Sequence, residues 1–82
     1  MNAIVIMDLN PSSPFDNEYN IIGVFSNLTK AYNYVYSGKL NKNLNRFSYS
    51  KIATYFNTVG SYFNLDNEIG FAKISVNQLV AD

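Results

Sequence analysis

The chain has no cysteine, no histidine and no tryptophan among its 82 residues, and only two prolines. Without cysteine there is neither a disulfide nor a thiolate nucleophile, and without histidine the side chain that titrates near neutral pH is missing. A zinc site built on these two residue types is therefore excluded, and we expect a reducing compartment such as the cytoplasm. No apolar run reaches the roughly 18 residues of a membrane-spanning helix, so no membrane span is predicted.

The usual signs of catalysis are also missing from the sequence. Its four glycines are isolated from one another and form no phosphate-binding loop. Serines and threonines are numerous, but there is no histidine to activate them. We therefore predict that the protein is not an enzyme and needs no cofactor. One alternative is a Mg²⁺ site made of loop carboxylates, but such side chains are mostly solvated and we expect no metal. The candidates for that site are Asp8, Asp16, Asp66 and Glu68.

Charge is scarce in this chain and unevenly placed. Six basic and six acidic residues cancel, yet between Tyr19 and Leu65 there are five basic residues and no acid. A local positive field of this kind attracts phosphates or acidic protein surfaces. The basic residues of this central segment are Lys30, Lys39, Lys42, Arg46 and Lys51.

Short apolar runs separated by turn residues predict three strands and two helices. Residues 3–9 and 19–25 are rich in β-forming residues and predict a hairpin, in which Gly23 marks a bulge or a close contact. Two later segments place apolar side chains at i, i+3, i+4 and i+7 between a serine and a glycine, which is typical of capped amphipathic helices. The apolar stripes are Leu28, Ala31, Tyr32 and Val35 in the first segment and Ile52, Tyr55, Phe56 and Val59 in the second. The predicted N-caps are Ser26 for the first helix and Ser48 or Ser50 for the second, and the predicted ends are Gly38 and Gly60.

The third predicted strand is residues 68–76, which we expect to pair beside the first. Residues 61–67 are ambiguous, because their apolar side chains require burial while their polar residues are turn-like. The predicted fold is a single α+β domain over residues 1–82, in which two helices cover a three-stranded antiparallel sheet in the order β-β-α-α-β. So small a sheet leaves an edge strand open, through which a homodimer could form.

Aromatic residues make up 16% of the chain, seven of them tyrosines and six phenylalanines, more than so small a core can bury completely. Tyrosine is enriched in protein interfaces, and Tyr34 and Tyr36 lie off the apolar stripe of the first helix. We therefore predict that aromatic and basic side chains of the central segment form one exposed patch. The predicted contact residues are Tyr34, Tyr36, Lys39, Lys42, Arg46 and Tyr49.

Such a patch predicts a small accessory regulator or inhibitor that binds an acidic surface of another protein. Its rings would supply desolvated anchors, and its cations would speed the encounter and select an acidic target. An RNA- or single-stranded-DNA-binding protein that stacks bases on the same rings is the alternative. A third interpretation is that the basic side chains are only solvated. Because the net charge is zero, we favour a protein partner over nucleic acid.

The second strand of the predicted hairpin reads Ile21-Ile22-Gly23-Val24-Phe25-Ser26, and Lys30, Ala31 and the aromatic Tyr34 follow it. This combination resembles a recurring pattern in small uncharacterised bacteriophage and bacterial proteins, in which such a strand leads directly into a helix. The resemblance covers residues 21–37. It implies a small α+β domain encoded by a phage, with a host factor, a defence component or another phage protein as its target and the host cytoplasm as its location.

Overall fold

A computed structural model of the chain describes residues 2–10, 20–40 and 42–75. Within them, four strands and two helices follow one another in the order β-β-α-α-β-β. The α+β class is confirmed, but the prediction of three strands is wrong, because a short additional strand precedes the last one. The elements are β1 (Asn2–Asp8), β2 (Asn20–Phe25), α1 (Leu28–Val35), α2 (Tyr49–Thr58), β3 (Tyr62–Leu65) and β4 (Ile69–Ser75).

The strands form one antiparallel sheet in the order β2-β1-β4-β3. The predicted hairpin of β1 and β2 and the predicted pairing of the last strand beside the first are both confirmed. The β1–β4 pairing runs from Asn2 opposite Ser75 to Asp8 opposite Ile69. These two strands are thus the inner ones, and β2 and β3 form the edges. The predicted hairpin loop at residues 10–18 lies almost entirely outside the described residues.

β3 is the strand that the sequence left ambiguous. Its side chains alternate, and Phe63 and Leu65 are directed to the core, where they face Phe71 and Ile69 across the ladder. The following turn begins with Asp66, which has a φ of 54°, and continues with a second residue of positive φ. Aspartate and asparagine tolerate this left-handed conformation better than most residues. The turn-like sequence that obscured the strand is therefore the turn of the β3–β4 hairpin.

α1 is the amphipathic helix that the spacing predicts, with Ala31 and Val35 buried. Its N-cap is Asn27 and not the predicted Ser26, because the Asn27 side chain accepts a hydrogen bond from the backbone N–H of Lys30 at 2.9 Å. Serine and asparagine cap helices about equally well. Composition alone therefore cannot choose between two neighbouring candidates.

α2 begins after Ser48, one of the two predicted caps, whose hydroxyl accepts a hydrogen bond from the N–H of Lys51 at 3.2 Å. Ile52 and Phe56 are buried, as the apolar spacing predicts. Val59, assigned to the same stripe, is instead 70% exposed, because it is the C-cap of a helix that has already ended. Of the helices in the described ranges, none has the length and apolar character needed to cross a bilayer.

Two glycines mark local irregularities of the backbone, one after α1 and one within the first hairpin. Gly38 was predicted as the C-cap of α1, but the cap is Tyr36, and Gly38 turns the chain two residues later with a φ of 89°. Gly23 lies beside the bulge that the sequence predicts, because the register of β1 and β2 shifts between Ile6 and Met7. A Cβ at Gly23 would also meet the ring of Phe25 at 3.1 Å, so the close contact is real as well.

Both helices pack on one face of the sheet, and the core lies between them. Phe71 on the inner strand β4 is fully buried, and its ring centroid lies 6.2 Å from that of Phe63. Away from the bulge in β2, alternate residues of each strand point to the opposite side of the sheet. The buried core cluster consists of Ile4, Ile6, Ala31, Val35, Ile52, Phe56, Leu65, Ile69 and Phe71.

Candidate functional site

Tyr36 and Arg46 are the two predicted contact residues that the fold brings closest together. The guanidinium carbon of Arg46 lies 4.9 Å from the centroid of the Tyr36 ring and 6.0 Å from that of Tyr32. The two rings share one flank of α1, because side chains four positions apart on a helix are neighbours, and their centroids are 4.9 Å apart. Arg46 is exposed. The cation and both rings therefore form one assembled unit at the surface.

Two tyrosine hydroxyls fix the connection between the helices against α1. The Tyr36 hydroxyl donates to the carbonyl of Asn45 at 2.8 Å and accepts from the N–H of Phe47 at 3.1 Å. The Tyr32 hydroxyl donates to the carbonyl of Phe47 at 2.7 Å. Burial raises the pKa of Tyr36, although the hydrogen bond from Phe47 acts in the opposite direction. The Tyr36 hydroxyl thus keeps its proton and holds Arg46 in position through the adjacent backbone.

Tyr49 and Lys51 extend this unit onto α2. The Tyr49 ring meets Tyr32 edge-on, with 5.6 Å between centroids, and its hydroxyl accepts a hydrogen bond from Thr29. The ammonium nitrogen of Lys51 lies 4.9 Å from the centroid of Phe47. Tyr49 is 40% exposed, so this end of the unit faces solvent. We call the following six residues the aromatic-basic surface: Tyr32, Tyr36, Arg46, Phe47, Tyr49 and Lys51.

Tyr34 and Lys39 lie apart from the aromatic-basic surface. Residues two positions apart on a helix are rotated by about 200° from one another, so Tyr34 lies on the opposite flank of α1 from Tyr36. Its ring packs against Phe25 of the edge strand β2, with 5.3 Å between centroids. The ammonium nitrogen of Lys39 lies 5.7 Å from the Tyr34 centroid. The fold therefore pairs these two predicted residues with each other, but not with Arg46.

Lys42 is a tether within the molecule. Its ammonium nitrogen lies 3.0 Å from Oδ1 of Asp8 and from Oε2 of Glu68, and donates to the carbonyl of Asn10 at the same distance. The side chain is 16% exposed. Burial alone would lower the pKa of Lys42, but the hydrogen bonds and charges of Glu68 and Asp8 outweigh it and raise the pKa. Lys42 thus joins the interhelical connection to the ends of β1 and β4.

The same contact bears on the alternative of a metal site. Asp8 and Glu68 approach one another, as the strand pairing suggests, but the ammonium of Lys42 lies between them. Asp16 lies outside the described residues, and Asp66 is exposed in the β3–β4 turn. Among the described residues, no three potential metal ligands come together. Asp8 and Glu68 instead form ion pairs with Lys42.

A cleft of about 280 Å³ opens beside Tyr49, between the helices and the sheet. Leu28 of α1 and Ala53 and Phe56 of α2 contribute apolar wall. Among the described residues, Lys73 of β4 is the charged one in the lining, with its ammonium nitrogen 3.4 Å from the carbonyl oxygen of Phe56. The other polar lining groups are neutral amides and hydroxyls. The cleft thus combines an apolar wall with a single cation.

Four residues of this region, Tyr32, Phe47, Lys51 and Lys73, were not in the predicted contact set. Lys51 was identified only as one of the basic residues of the central segment. Tyr32 was assigned only to the apolar stripe of α1, although its spacing of four positions from Tyr36 is a signal that joins the two rings. Phe47 and Lys73 gave no such local signal. Phe47 contacts α1 only because the segment that connects the two helices passes along α1. Lys73 reaches α2 only because β4 is an inner strand.

Comparison of the chain with known protein families, with curated proteins and with solved structures found no match. The resemblance of residues 21–37 to phage proteins therefore stays a prediction. In the fold, these residues form β2 and α1 and the turn between them.

Proposed function

We propose that the protein is a small non-catalytic regulator or inhibitor that binds an acidic surface of another protein through its aromatic-basic surface. The observation that carries this proposal is the stacking of Arg46 on Tyr36 and Tyr32. Tyrosine and arginine are among the residues most enriched at interface hot spots. Because the rings and the cation already hold one another in place, binding costs little side-chain freedom.

The charge of this surface supports an acidic partner. Arg46 and Lys51 carry its two positive charges, and the ion pairs within the described residues all belong to Lys42. Neither cation is therefore neutralised by a carboxylate of the described chain. Cations at an interface speed the encounter with an acidic partner and disfavour basic ones. Overall neutrality of the chain then limits nonspecific attraction to other polyanions.

The orientation of the rings favours a protein partner over nucleic acid. A base stacks on an open aromatic face, but Arg46 lies over Tyr36 and Lys51 lies over Phe47. Stacking would therefore displace contacts that the protein already makes. A carboxylate can instead bind the guanidinium N–H groups while the cation stays on the rings.

The cleft beside Tyr49 suits an anchoring side chain of the partner. Its volume of about 280 Å³ falls just below the range of roughly 300–1,000 Å³ for small-molecule sites. One apolar side chain fits this space better than a cofactor does. Lys73 favours a carboxylate close to that side chain. We therefore expect the partner to present an apolar residue with an acidic neighbour, adjacent to the segment that covers Arg46.

Arg46→Glu tests this proposal, with Lys30→Glu as its matched control. Both residues are exposed, and both substitutions change the charge equally, but Lys30 lies outside the aromatic-basic surface. The measurement is quantitative affinity capture, by mass spectrometry, from cells that produce the protein. We expect at least one captured protein to fall by about tenfold or more with Arg46→Glu, as for the loss of a contact worth about 1.4 kcal/mol. Lys30→Glu should leave its recovery unchanged.

Circular dichroism checks that each variant is folded. If every protein captured by the wild type is captured equally by Arg46→Glu, the surface is misplaced and the proposal is wrong. Fluorescence anisotropy with a short labelled single-stranded RNA or DNA at low salt tests the alternative. Micromolar binding would favour nucleic acid over a protein as the partner if the logarithm of its affinity falls linearly with the logarithm of the salt concentration and if Arg46→Glu abolishes it.

A further inference from the structure

The edge strand β2 has little of the protection that exposed strand edges usually carry. Natural proteins shield such edges with short strands, charged side chains, proline or a bulge. The other edge strand, β3, has only four residues, whereas β2 has six and contains neither proline nor a charged residue. A bulge at Ile22, where the register with β1 shifts, is the one such device in β2. Among the described strands only β1 pairs with β2, so its other side is open to a further strand.

Two exposed apolar side chains lie on one side of this edge, opposite the helices. Because of the bulge, Ile21 and Val24 both point to that side, where they pair with Met7 and Val5 of β1. Ile21 is 65% exposed and Val24 is 55% exposed, whereas Val5 is only 9% exposed. The open apolar area is therefore a feature of the edge and not of the centre of the sheet. A strand added beside β2 would remove both side chains from water, which is favourable.

The helix side of the same edge carries an aromatic ring and a cation. Phe25 points to this side, since it pairs with the core residue Ile4, and the Tyr34 ring packs on it with 5.3 Å between centroids. The ammonium nitrogen of Lys39 lies 5.7 Å from the Tyr34 centroid. Lys39 is exposed, and the described residues give it no carboxylate partner. These two predicted contact residues, which the aromatic-basic surface does not include, thus lie beside the open edge.

The open backbone, the apolar side chains and the cation together define an occupant. We propose that β2 binds an extended segment of another protein as an additional strand of the sheet. In this mode of recognition, main-chain hydrogen bonds supply affinity and alternate side chains supply specificity. Because side chains alternate along a strand, the segment places apolar residues beside Ile21 and Val24 and an acidic residue beside Lys39. Its sequence therefore alternates apolar and acidic residues.

Charge favours such a segment over a second copy of β2. The residues of β2 include no carboxylate, so two paired copies would leave Lys39 without an acidic partner. An exposed ion pair is weak, so Lys39 selects among segments that the main-chain bonds and apolar contacts hold. Because Tyr34 and Tyr36 lie on opposite flanks of α1, β2 binds its segment independently of the aromatic-basic surface.

NMR of the ¹⁵N-labelled protein with short capped peptides tests this proposal. One peptide has eight residues that alternate valine and glutamate, and its counterpart has lysine in place of glutamate. At about 0.15 M salt, where distant charges are screened, the first peptide should shift the amide signals of β2 but not those of β3. We expect a dissociation constant between about 10 µM and about 1 mM, because one short strand buries far less than a standard interface.

Hydrogen exchange and three matched changes separate strand pairing from other contacts. The bound peptide should slow the exchange of β2 amides, since its carbonyl groups accept hydrogen bonds from them. The lysine peptide should bind at least about threefold more weakly, and Lys39→Glu should reverse this preference. Lys51→Glu changes the charge equally on the aromatic-basic surface and should keep the wild-type preference. N-methylation of two adjacent central peptide residues removes a donor from each peptide edge and should weaken binding by at least about tenfold.

Four results would overturn the proposal. One is the absence of β2 shifts at about 1 mM of the glutamate peptide. Another is equal binding of the N-methylated peptide, which would indicate contact through side chains only. The third is a preference that Lys39→Glu retains or Lys51→Glu loses, which would place the acidic residues elsewhere. The last is slower exchange of β2 amides when the free protein is concentrated, which would identify a second copy as the occupant.

Discussion

Lys42 illustrates at the scale of one residue how position in the fold overrides position in the sequence. Its place in a basic segment predicted a role in partner binding. In the fold, its ammonium reaches Asp8 and Glu68 at 3.0 Å, and both carboxylates are far away along the chain. Hydrogen bonds to charged groups typically contribute about 1.5–3 kcal/mol. Lys42 is therefore better explained by the stability of the fold than by contact with another molecule.

Stability in acid should depend on Glu68. The side-chain amide of Asn10 and the ammonium of Lys42 hold the pKa of Glu68 below its usual value of 4.5. A lowered pKa stabilises the fold above the usual value, and this contribution is lost as the pH falls through the folded-state pKa. Glu68→Gln should therefore flatten the fall in melting temperature between about pH 6 and about pH 3, measured by circular dichroism. Asp66→Asn, the control, should keep the wild-type slope.

An equal fall in the wild type and in Glu68→Gln would show that this carboxylate does not govern acid stability. The sign is opposite for Lys42, whose pKa is raised from 10.5. Its contribution is fully present below that value and is lost as the pH rises through the folded-state pKa. Protonation of Glu68 therefore weakens this contact in acid, and deprotonation of Lys42 weakens it in alkali.

At the scale of the elements, a single hydrogen bond distinguishes two neighbouring candidates for the start of α1. The Asn27 side chain accepts a hydrogen bond from the N–H of Lys30, so Asn27 and not Ser26 is the cap. The helix that follows has only eight residues. A helix this short depends on its caps and its packing, since its own propensity cannot sustain it in water.

Asn27→Ala should lower the free energy of unfolding by about 1 kcal/mol. Ser26→Ala should change it by less than about 0.5 kcal/mol, because Ser26 lies before the helix and is exposed. Urea unfolding followed by circular dichroism measures both values. A larger loss for Ser26→Ala than for Asn27→Ala would contradict the assignment of the cap.

Elements with one clear period were predictable from the sequence, and those that depend on a turn were not. The apolar run of β1 and the i, i+3, i+4, i+7 spacing of α1 each correspond to an observed element. β3 was missed because it is four residues long and runs directly into the turn at Asp66. No periodic signal develops over so short a segment.

At the scale of the whole molecule, one small core carries the stability of the fold. Phe71 lies within it, fully buried and in contact with the ring of Phe63. A chain of this length is expected to have a free energy of unfolding of roughly 4–12 kcal/mol. Loss of one large core side chain is therefore a considerable part of the total.

Phe71→Ala should lower the free energy of unfolding by about 3–5 kcal/mol. A clearly lower melting temperature is the expected result, and thermal melting together with one-dimensional NMR measures it. Val59→Ala is the control, because its side chain is mostly exposed and its loss should change stability by less than about 0.5 kcal/mol. A mild effect of Phe71→Ala would show that the core can collapse around the missing ring.

Half of the aromatic-basic surface was in the predicted contact set, but the way its side chains group together was not predictable. Tyr36, Arg46 and Tyr49 were expected to share a surface, and the fold places them in one connected cluster through Tyr32. Tyr34 lies on the other flank of α1, where Phe25 contacts it. The rotation of a helix per residue separates side chains that are close in sequence. The path of the connection between the helices then determines which basic side chain lies over which aromatic ring.

The strand order β2-β1-β4-β3 has a consequence for protein synthesis. β4 is made after the other described strands, yet it pairs with both β1 and β3 and separates them in the sheet. While the chain is growing, β1 lacks one neighbour, β3 has none, and the core lacks Phe71. A ribosome must therefore release Ser75 from its exit tunnel before the domain can close. Until then a nascent chain displays unpaired strands to chaperones and to other nascent chains.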